Sequence, residues 1–263
     1  MKIEGSRVLI TGATGGIGHA IAHEFADRGA ELVLTGRRAD VLAPLAEQIG
    51  ARAVPADLAD REAVAPLLAA AGPVDIVVAN AALPASGLLT DYSIEQIDRA
   101  LDVNLRAPIV TARLLAEPLI ARGRGHLVFI SSVSGKLASP RASLYNATKF
   151  GLRGFAQALR QDLAPHGVGV STIFPGFVRD AGMFADAGIP AAPGIGTSSP
   201  EQVAAAVRRA VERDIGEIVV APLQVRLGVL LGGIAPGLAA RVQRLGGADK
   251  IAATLADAQR AKR

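Results

Sequence analysis

The 263-residue chain contains no cysteine and no tryptophan, and aromatic residues make up only 3% of it. Without cysteine there is no disulfide and no thiolate metal site, and a reducing compartment is weakly indicated. With so few rings, the interior has to be packed from Ala, Val, Leu and Ile. Long apolar runs are also lacking: no stretch reaches the about 18 to 20 residues of a membrane-spanning helix. Glu4 and Arg7 stand ahead of a very short apolar run at the start. No secretory signal is therefore expected, and the expected compartment is the cytoplasm. Excess positive charge is lacking over most of the chain. The net charge is +4, yet residues 222–263 hold seven basic and two acidic residues, a net of +5, which leaves −1 for the rest. A nucleic-acid reader shows a basic stripe with aromatic or motif support. Neither is visible, so no nucleic-acid partner is expected. Lysine is rare as well, supplying 5 of the 28 basic residues.

What is present suits a large core: 50% of residues are hydrophobic and 20% charged. Short β-branched runs alternate with longer amphipathic segments. Candidate strands are 7–11, 31–36, 51–56, 74–80, 125–132, 169–174 and 216–221, with helical spacing between them, as at 17–29 and 143–167. Nearly continuous apolar strands fit a parallel sheet covered on both faces. The βαβ alternation predicts an α/β, doubly wound sheet of about seven strands with helices on both faces and right-handed crossovers. No linker or repeat interrupts it, so residues 1–263 are expected to form a single domain. Residues 177–199, rich in Gly, Ala and Pro, are a candidate lid. Residues 222–263 form a C-terminal helical extension.

The stretch VLITGATGGIGHAI sets a glycine cluster after the first strand and at the start of the first helix. Gly12, Gly16 and Gly18 read as G-x-x-x-G-x-G, while Gly12, Gly15 and Gly18 fit G-x-x-G-x-x-G, so spacing leaves the type of dinucleotide site open. The physical demand is a tight turn, bare backbone near a pyrophosphate and close helix–strand packing. The helix N-terminus then supplies free N–H groups and a favourable dipole. Candidate contacts here are Gly12, Thr14, Gly15, Gly16, Ile17 and Gly18. At the end of the second strand an NAD site usually has an Asp or Glu for the ribose hydroxyls. This chain has Gly36, Arg37 and Arg38. A carboxylate would repel a 2′-phosphate and a guanidinium would bind it. NADP(H) is therefore the expected cofactor, NAD(H) the alternative, and Arg37 ranks above Arg38.

With the glycine turn, NAALPASG, NLRAP, ISSVSG and YNATK in that order, the chain resembles the short-chain dehydrogenase/reductase family, in its compact single-domain branch. The resemblance runs from about residue 5 to residue 221. Tyr145 follows Ser132 by 13 residues and Ser132 follows Asn104 by 28, separations typical of that branch. It implies a Rossmann-type fold and four catalytic residues: Asn104, Ser132, Tyr145 and Lys149. Tyr145 would move the proton, Ser132 would orient the substrate oxygen, and Lys149 would grip a ribose hydroxyl and tune Tyr145. Asn104 would hold a water linking Lys149 to solvent. It also implies that Asp57, with Leu58, lies at the adenine, and that Asn80 and Ala81 lie beside the cofactor. Pro175, Gly176 and Val178 would cover the nicotinamide.

Chemistry supports these roles. Tyrosine, with a pKa near 10, is a poor base, and a cation within about 4 to 6 Å lowers such a pKa by roughly 1 to 3 units. Positions i and i+4 share a helix face, so Lys149 reaches Tyr145. Lysine is a compact point charge where arginine is bulky and planar.

The sequence departs from the family at two places. Ala79-Asn80-Ala81-Ala82 stands where Asn-Asn-Ala-Gly is frequent, and Asp180 stands where a threonine is common, its preferred reading being a helix cap. His19 and His23 have the spacing of a metal pair without a third ligand, and no metal is expected. His126 and His166 are expected at a strand edge and a helix end, and Tyr92 in packing or pocket lining. Phe177, Val178, Met183, Phe184, Ile189 and Ile195 make the lid apolar, with Arg179 its one basic residue. An apolar small-molecule carbonyl or alcohol is thus expected over a phosphorylated or acyl-carrier substrate. Residues 83–90 and 137–141 are the other expected pocket walls.

In the extension, Leu227 to Ala240 is an uncharged run of 14 between Arg226 and Arg241. Packing on the protein or on a partner subunit is favoured, within a homodimer or homotetramer. Peripheral membrane contact guided by anionic lipid is the weaker alternative. The expected activity is NADP(H)-dependent interconversion of a carbonyl and an alcohol. The rivals are a non-enzymatic dinucleotide sensor or scaffold on the same fold, which would not need all four catalytic residues, and an epimerase or dehydratase of the longer, extended branch.

Overall fold

A computed structural model describes residues 1–185 and 196–260. Seven parallel strands form one sheet: β1 (Arg7–Thr11), β2 (Glu31–Thr35), β3 (Arg52–Ala53), β4 (Ile76–Ala79), β5 (Gly125–Ile130), β6 (Val168–Pro175) and β7 (Glu217–Val220). Their order is β3-β2-β1-β4-β5-β6-β7. The helices are α1 (Gly16–Ala26), α2 (Ala39–Gln48), α3 (Val64–Ala71), α4 (Ile94–Leu101), α5 (Ala107–Arg122), α6 (Ser143–Leu163), α7 (Gly182–Ala185), α8 (Pro200–Arg213), α9 (Leu223–Ile234), α10 (Pro236–Leu245) and α11 (Ala248–Gln259). The third strand is shorter than its apolar pattern suggests, because Pro55 has no N–H for a ladder. Its flanks still bond the neighbouring strand region, Val54 N to Leu34 O at 2.9 Å and Ala56 N to Gly36 O at 3.2 Å.

Alternation along the strands divides the core into two layers. Val8, Ile10, Leu34, Ile76, Val78 and Val128 meet Phe25 of α1, Leu42 of α2 and Val207 of α8 on one face. Leu9, Val33, Val77, Leu127 and Phe129 meet Leu67 of α3, Leu115 of α5 and Leu152 of α6 on the other. Strand order reverses between β1 and β4, and the crevice outside the carboxyl ends of the strands at such a reversal is where α/β sheets take ligands. Between α4 and α5 the helix widens into a π-turn at Asp102–Arg106, with Ala107 N donating to Asp102 O.

The extension is helical and lies against the loop after β5. A Cβ on Gly232 of α9 would collide with Leu137, Gln243 Nε2 of α10 donates to Ala138 O at 3.0 Å, and Arg141 pairs with Asp249 of α11 at 3.0 Å. Gln259 Nε2 donates to Met183 O of α7 at 3.2 Å. No helix among the described residues is long and apolar enough to cross a membrane.

Candidate active site

The glycine turn joins β1 to α1. Gly12 has φ +65°, and a Cβ on it would lie 2.7 Å from Ala81 Cα, so β4 and the turn approach to backbone contact. Asn80 locks that approach, its Nδ2 donating to Thr11 O at 3.0 Å and Gly12 O at 3.1 Å. Thr11 Oγ1 accepts the N–H groups of Asn80 and Ala81, both at 3.0 Å. A Cβ on Gly18 would run into Gly12 O and come within 2.8 Å of Asn80 Nδ2, while a Cβ on Gly16 would strike Ala181. Ile17 faces Gly182. Gly15 differs: it is exposed, and a Cβ there would meet only Gly12 O, at 3.5 Å. As the N-cap of α1 it offers no side-chain cap, and no acid occupies the first turn. A helix N-terminus with free N–H groups above an open glycine ledge fits a pyrophosphate.

Next to it, Gly36 brings the end of β2 against Thr14, and Arg38 Nη2 donates to Thr14 O at 2.6 Å. Arg37 is exposed and makes no hydrogen bond or ion pair among the described residues. Arg38 is thus engaged on the turn and Arg37 is the free guanidinium. Asp57 Oδ1 accepts from Ala59 N at 3.0 Å, its other oxygen lies 4.0 Å from Arg99, and Leu58 beside it is buried. Pro175 ends β6, and Gly176 N donates to Val220 O at 3.0 Å. The side chain of Val178 is not in the crevice; it is buried in the core layer under α1 and α8, and Val178 bridges to Ser198. Its hydrophobicity sends it inward, so only its backbone is left for a ligand.

The end of β5 and the first turns of α6 bring the remaining residues together. Ser132 leaves the strand extended, and its Oγ accepts from Ser134 N at 3.1 Å. Gly135 packs this turn on α6, for a Cβ on it would lie 2.7 Å from Lys149 O. The Ser132 hydroxyl faces the phenol of Tyr145 and acts on its proton affinity. Lys149 is buried, its Nζ donates to Ile130 O at 3.1 Å, and it lies 5.6 Å from the centroid of the Tyr145 ring. Burial pushes the Tyr145 phenol up to about 12, opposed by the neighbouring Ser132 hydroxyl, and brings the Lys149 amine down to about 8. Desolvation of the phenolate outweighs the opposing pull of Ser132. The phenol is consequently held neutral.

Asn104 sits in the π-turn and clamps a strand-end loop rather than its own helix: Oδ1 accepts from Leu83 N at 2.6 Å and Nδ2 donates to Leu83 O at 2.9 Å. That leaves one N–H and one lone pair of the amide for a water. Leu83 was not visible as a partner in the sequence, since nothing local marks a contact 21 residues away. The departures resolve in the same way. Ala82 keeps an ordinary negative φ, so no glycine is needed there. Asp180 adopts φ +63° and pairs with Arg179 at 3.3 Å instead of capping a helix. Tyr92 is buried with Ala85, Ala100 and Leu144 beside Tyr145, donating to Ser86 O at 2.9 Å. His166 closes the end of α6, but His126 is no edge residue: it is buried in β5 with Nε2 2.8 Å from Ser171 Oγ. Ile189 and Ile195 of the lid lie outside the described residues, while the rings of Phe177 and Phe184 meet at a tilt of 51°, 4.8 Å between centroids.

Known proteins resemble this chain in sequence and fold. A family model described as short chain dehydrogenase matches residues 6–189. The ketoacyl reductase HetN of Nostoc sp. is 33% identical over 227 residues, covering 83% of this chain and 79% of its own. A short-chain dehydrogenase from Sphingobium yanoikuyae, solved in complex with NADPH, superposes with a TM-score of 0.75 at 28% identity, covering 93% of each chain. A 3-ketoacyl-(acyl-carrier-protein) reductase from Brucella melitensis, complexed with NADH, gives 0.74 at 26% identity, over 83% of this chain and 97% of its own.

Proposed function

Since this chain belongs to the short-chain dehydrogenase/reductase family, we propose that it interconverts an apolar small-molecule carbonyl and its alcohol with preference for NADP(H). The observation that carries this reading is the Tyr145 phenol, held neutral by burial, facing the Ser132 hydroxyl and one helical turn from the buried Lys149, whose Nζ lies 5.6 Å from the ring centroid. A bound nicotinamide dinucleotide supplies the hydride in reduction and takes it back in oxidation. Tyr145 gives its proton to the substrate oxygen as negative charge develops there. The Ser132 hydroxyl donates to the same oxygen and fixes its position. The Lys149 ammonium stabilises the phenolate left behind and grips a ribose hydroxyl, and Asn104 keeps the water route to Lys149 open.

The turn from Gly12 to Gly18 would hold the pyrophosphate, Asp57 and Leu58 the adenine end, and Asn80, Ala81, Pro175 and Gly176 the walls along the dinucleotide. Two features support the preference for a 2′-phosphate: no carboxylate ends β2, and Arg37 is unpaired beside Arg38 on the turn. The lid supports an apolar substrate, its one basic residue, Arg179, being paired to Asp180. A ketoacyl substrate is the second reading, favoured by what HetN is named for.

Initial rates with NADPH and NADH across apolar ketones, aldehydes and ketoacyl thioesters test the reading. The expected result is turnover of an apolar carbonyl with NADPH ahead of NADH. Tyr145→Phe is expected to keep cofactor binding and lose nearly all turnover; retained turnover overturns the mechanism. Arg37→Asp is expected to move preference toward NADH, and an unchanged preference removes Arg37 from the site.

A further inference from the structure

Twelve large hydrophobic residues are exposed among the described residues, and seven of them fall in α9 and α10: Leu223, Leu227, Leu230, Ile234, Leu238, Val242 and Leu245. Ile234 is 84% and Leu245 90% exposed. At 3.6 residues per turn, the four on α9 lie within an arc of about 60°, as do the three on α10. The stripe on α9 faces away from the protein, because the other side is occupied: Gly228 and Gly232 lie on Leu137, and Val229 is buried. Ala239 and Gln243 anchor α10 inward in the same manner. A soluble surface rarely gathers apolar side chains this way without covering them.

Charge indicates what covers them. Arg226, Arg241 and Arg244 are exposed beside the stripes and make no ion pair among the described residues. Most other arginines in the chain are paired, as Arg141 is to Asp249 and Arg208 to Glu24. No acidic residue occurs between Glu217 and Asp249. A second copy packing this face on itself by a two-fold axis would set arginine against arginine with no carboxylate to neutralise them. An anionic lipid surface supplies both an apolar layer for the stripes and negative charge for their margins. We propose that the outer face of α9 and α10 docks this protein, peripherally, on an anionic lipid surface.

Sedimentation of the full chain with vesicles tests the docking without reference to turnover, so its outcome is separate from that of the reductase reading. Phosphatidylcholine vesicles containing about one-third phosphatidylserine are expected to carry the protein down at low salt and release it at high salt. The triple variant R226Q/R241Q/R244Q is expected to weaken that binding about a hundredfold, at roughly fivefold per charge. Leu227→Ser combined with Leu238→Ser is expected to abolish it while thermal unfolding stays in place. Equal binding to pure phosphatidylcholine, or none to either vesicle, overturns the proposal. So does sedimentation velocity in which the paired Leu→Ser variant turns an oligomeric wild type into monomers, because the face then belongs to a second copy.

Discussion

The two ends of the parallel sheet treat polar groups in opposite ways. At the amino ends of the strands, charge is paired. Asp75 accepts from Arg7 N at 3.0 Å and lies 3.3 Å from Arg124 and 3.6 Å from Arg122. Arg160 binds Asp214 at 2.7 Å and Val170 O at 2.7 Å. Between them His126 is neutral: Ser171 Oγ donates its one proton to Ile215 O at 2.7 Å, so His126 Nε2–H must donate to Ser171. At the carboxyl ends the groups are left available. The α1 N-terminus has no side-chain cap, Gly15 is open, and Tyr145 and Lys149 are desolvated against their ionised forms. One end stabilises the fold, and the other keeps strained electrostatics in reserve for a ligand.

The contrast predicts different losses at each end. The largest is at Lys149: Lys149→Arg is expected to cut turnover about a thousandfold with the carbonyl panel, since the planar guanidinium cannot occupy the buried slot at Ile130 O. Turnover within tenfold of wild type would mean that charge alone suffices there. At the opposite end, His126 sits at about 4 because burial disfavours its imidazolium, against 6.5 in the unfolded chain. The unfolded state then binds more protons between these values. Stability is therefore full above pH 6.5 and falls as pH drops toward 4, by about 3 kcal/mol when complete. In urea titrations across that window, His126→Gln is expected to flatten the slope, and an unchanged slope would assign acid sensitivity elsewhere.

Asp75→Ala comes next. It strands Arg7 N–H and two arginines, and is expected to cost about 2 kcal/mol in denaturant unfolding with kcat intact. A fall in kcat without a stability change would erase the division between the two ends. The smallest effect on the fold is predicted at Gly15. Gly15→Ala should leave the unfolding midpoint where it is while weakening dinucleotide affinity, whereas Gly18→Ala, with Gly12 O and Asn80 in the way, should lower both. Equal stability losses in the two variants would show that Gly15 is structural like Gly18.

Much of the candidate site at the carboxyl ends was readable because its signals are local. The turn from Gly12 to Gly18 spans one βα junction, and Tyr145 and Lys149 are one helical turn apart. Their neighbours across the fold were not readable. Leu83 on Asn104, Asp249 on Arg141 and Met183 on Gln259 pair residues far apart in sequence, with no pattern at either position. Asp180 and His126 were misplaced for the same reason. A residue type states what a side chain can bond, and its neighbours across the fold decide what it does bond.

The sequence by itself determined the sheet, through apolar strands of alternating face, and the order of the site motifs along it, because both depend on spacings of a few residues. Only the tertiary structure decided the electrostatic state of the site and the outer surface of the extension. Burial raises Tyr145 and lowers Lys149 through desolvation, which no single-residue property records. The apolar run from Leu227 to Ala240 could have turned either way. Contact of Gly228 and Gly232 with Leu137 fixed which side of α9 faces inward, and so left Leu227, Leu230 and Ile234 facing out.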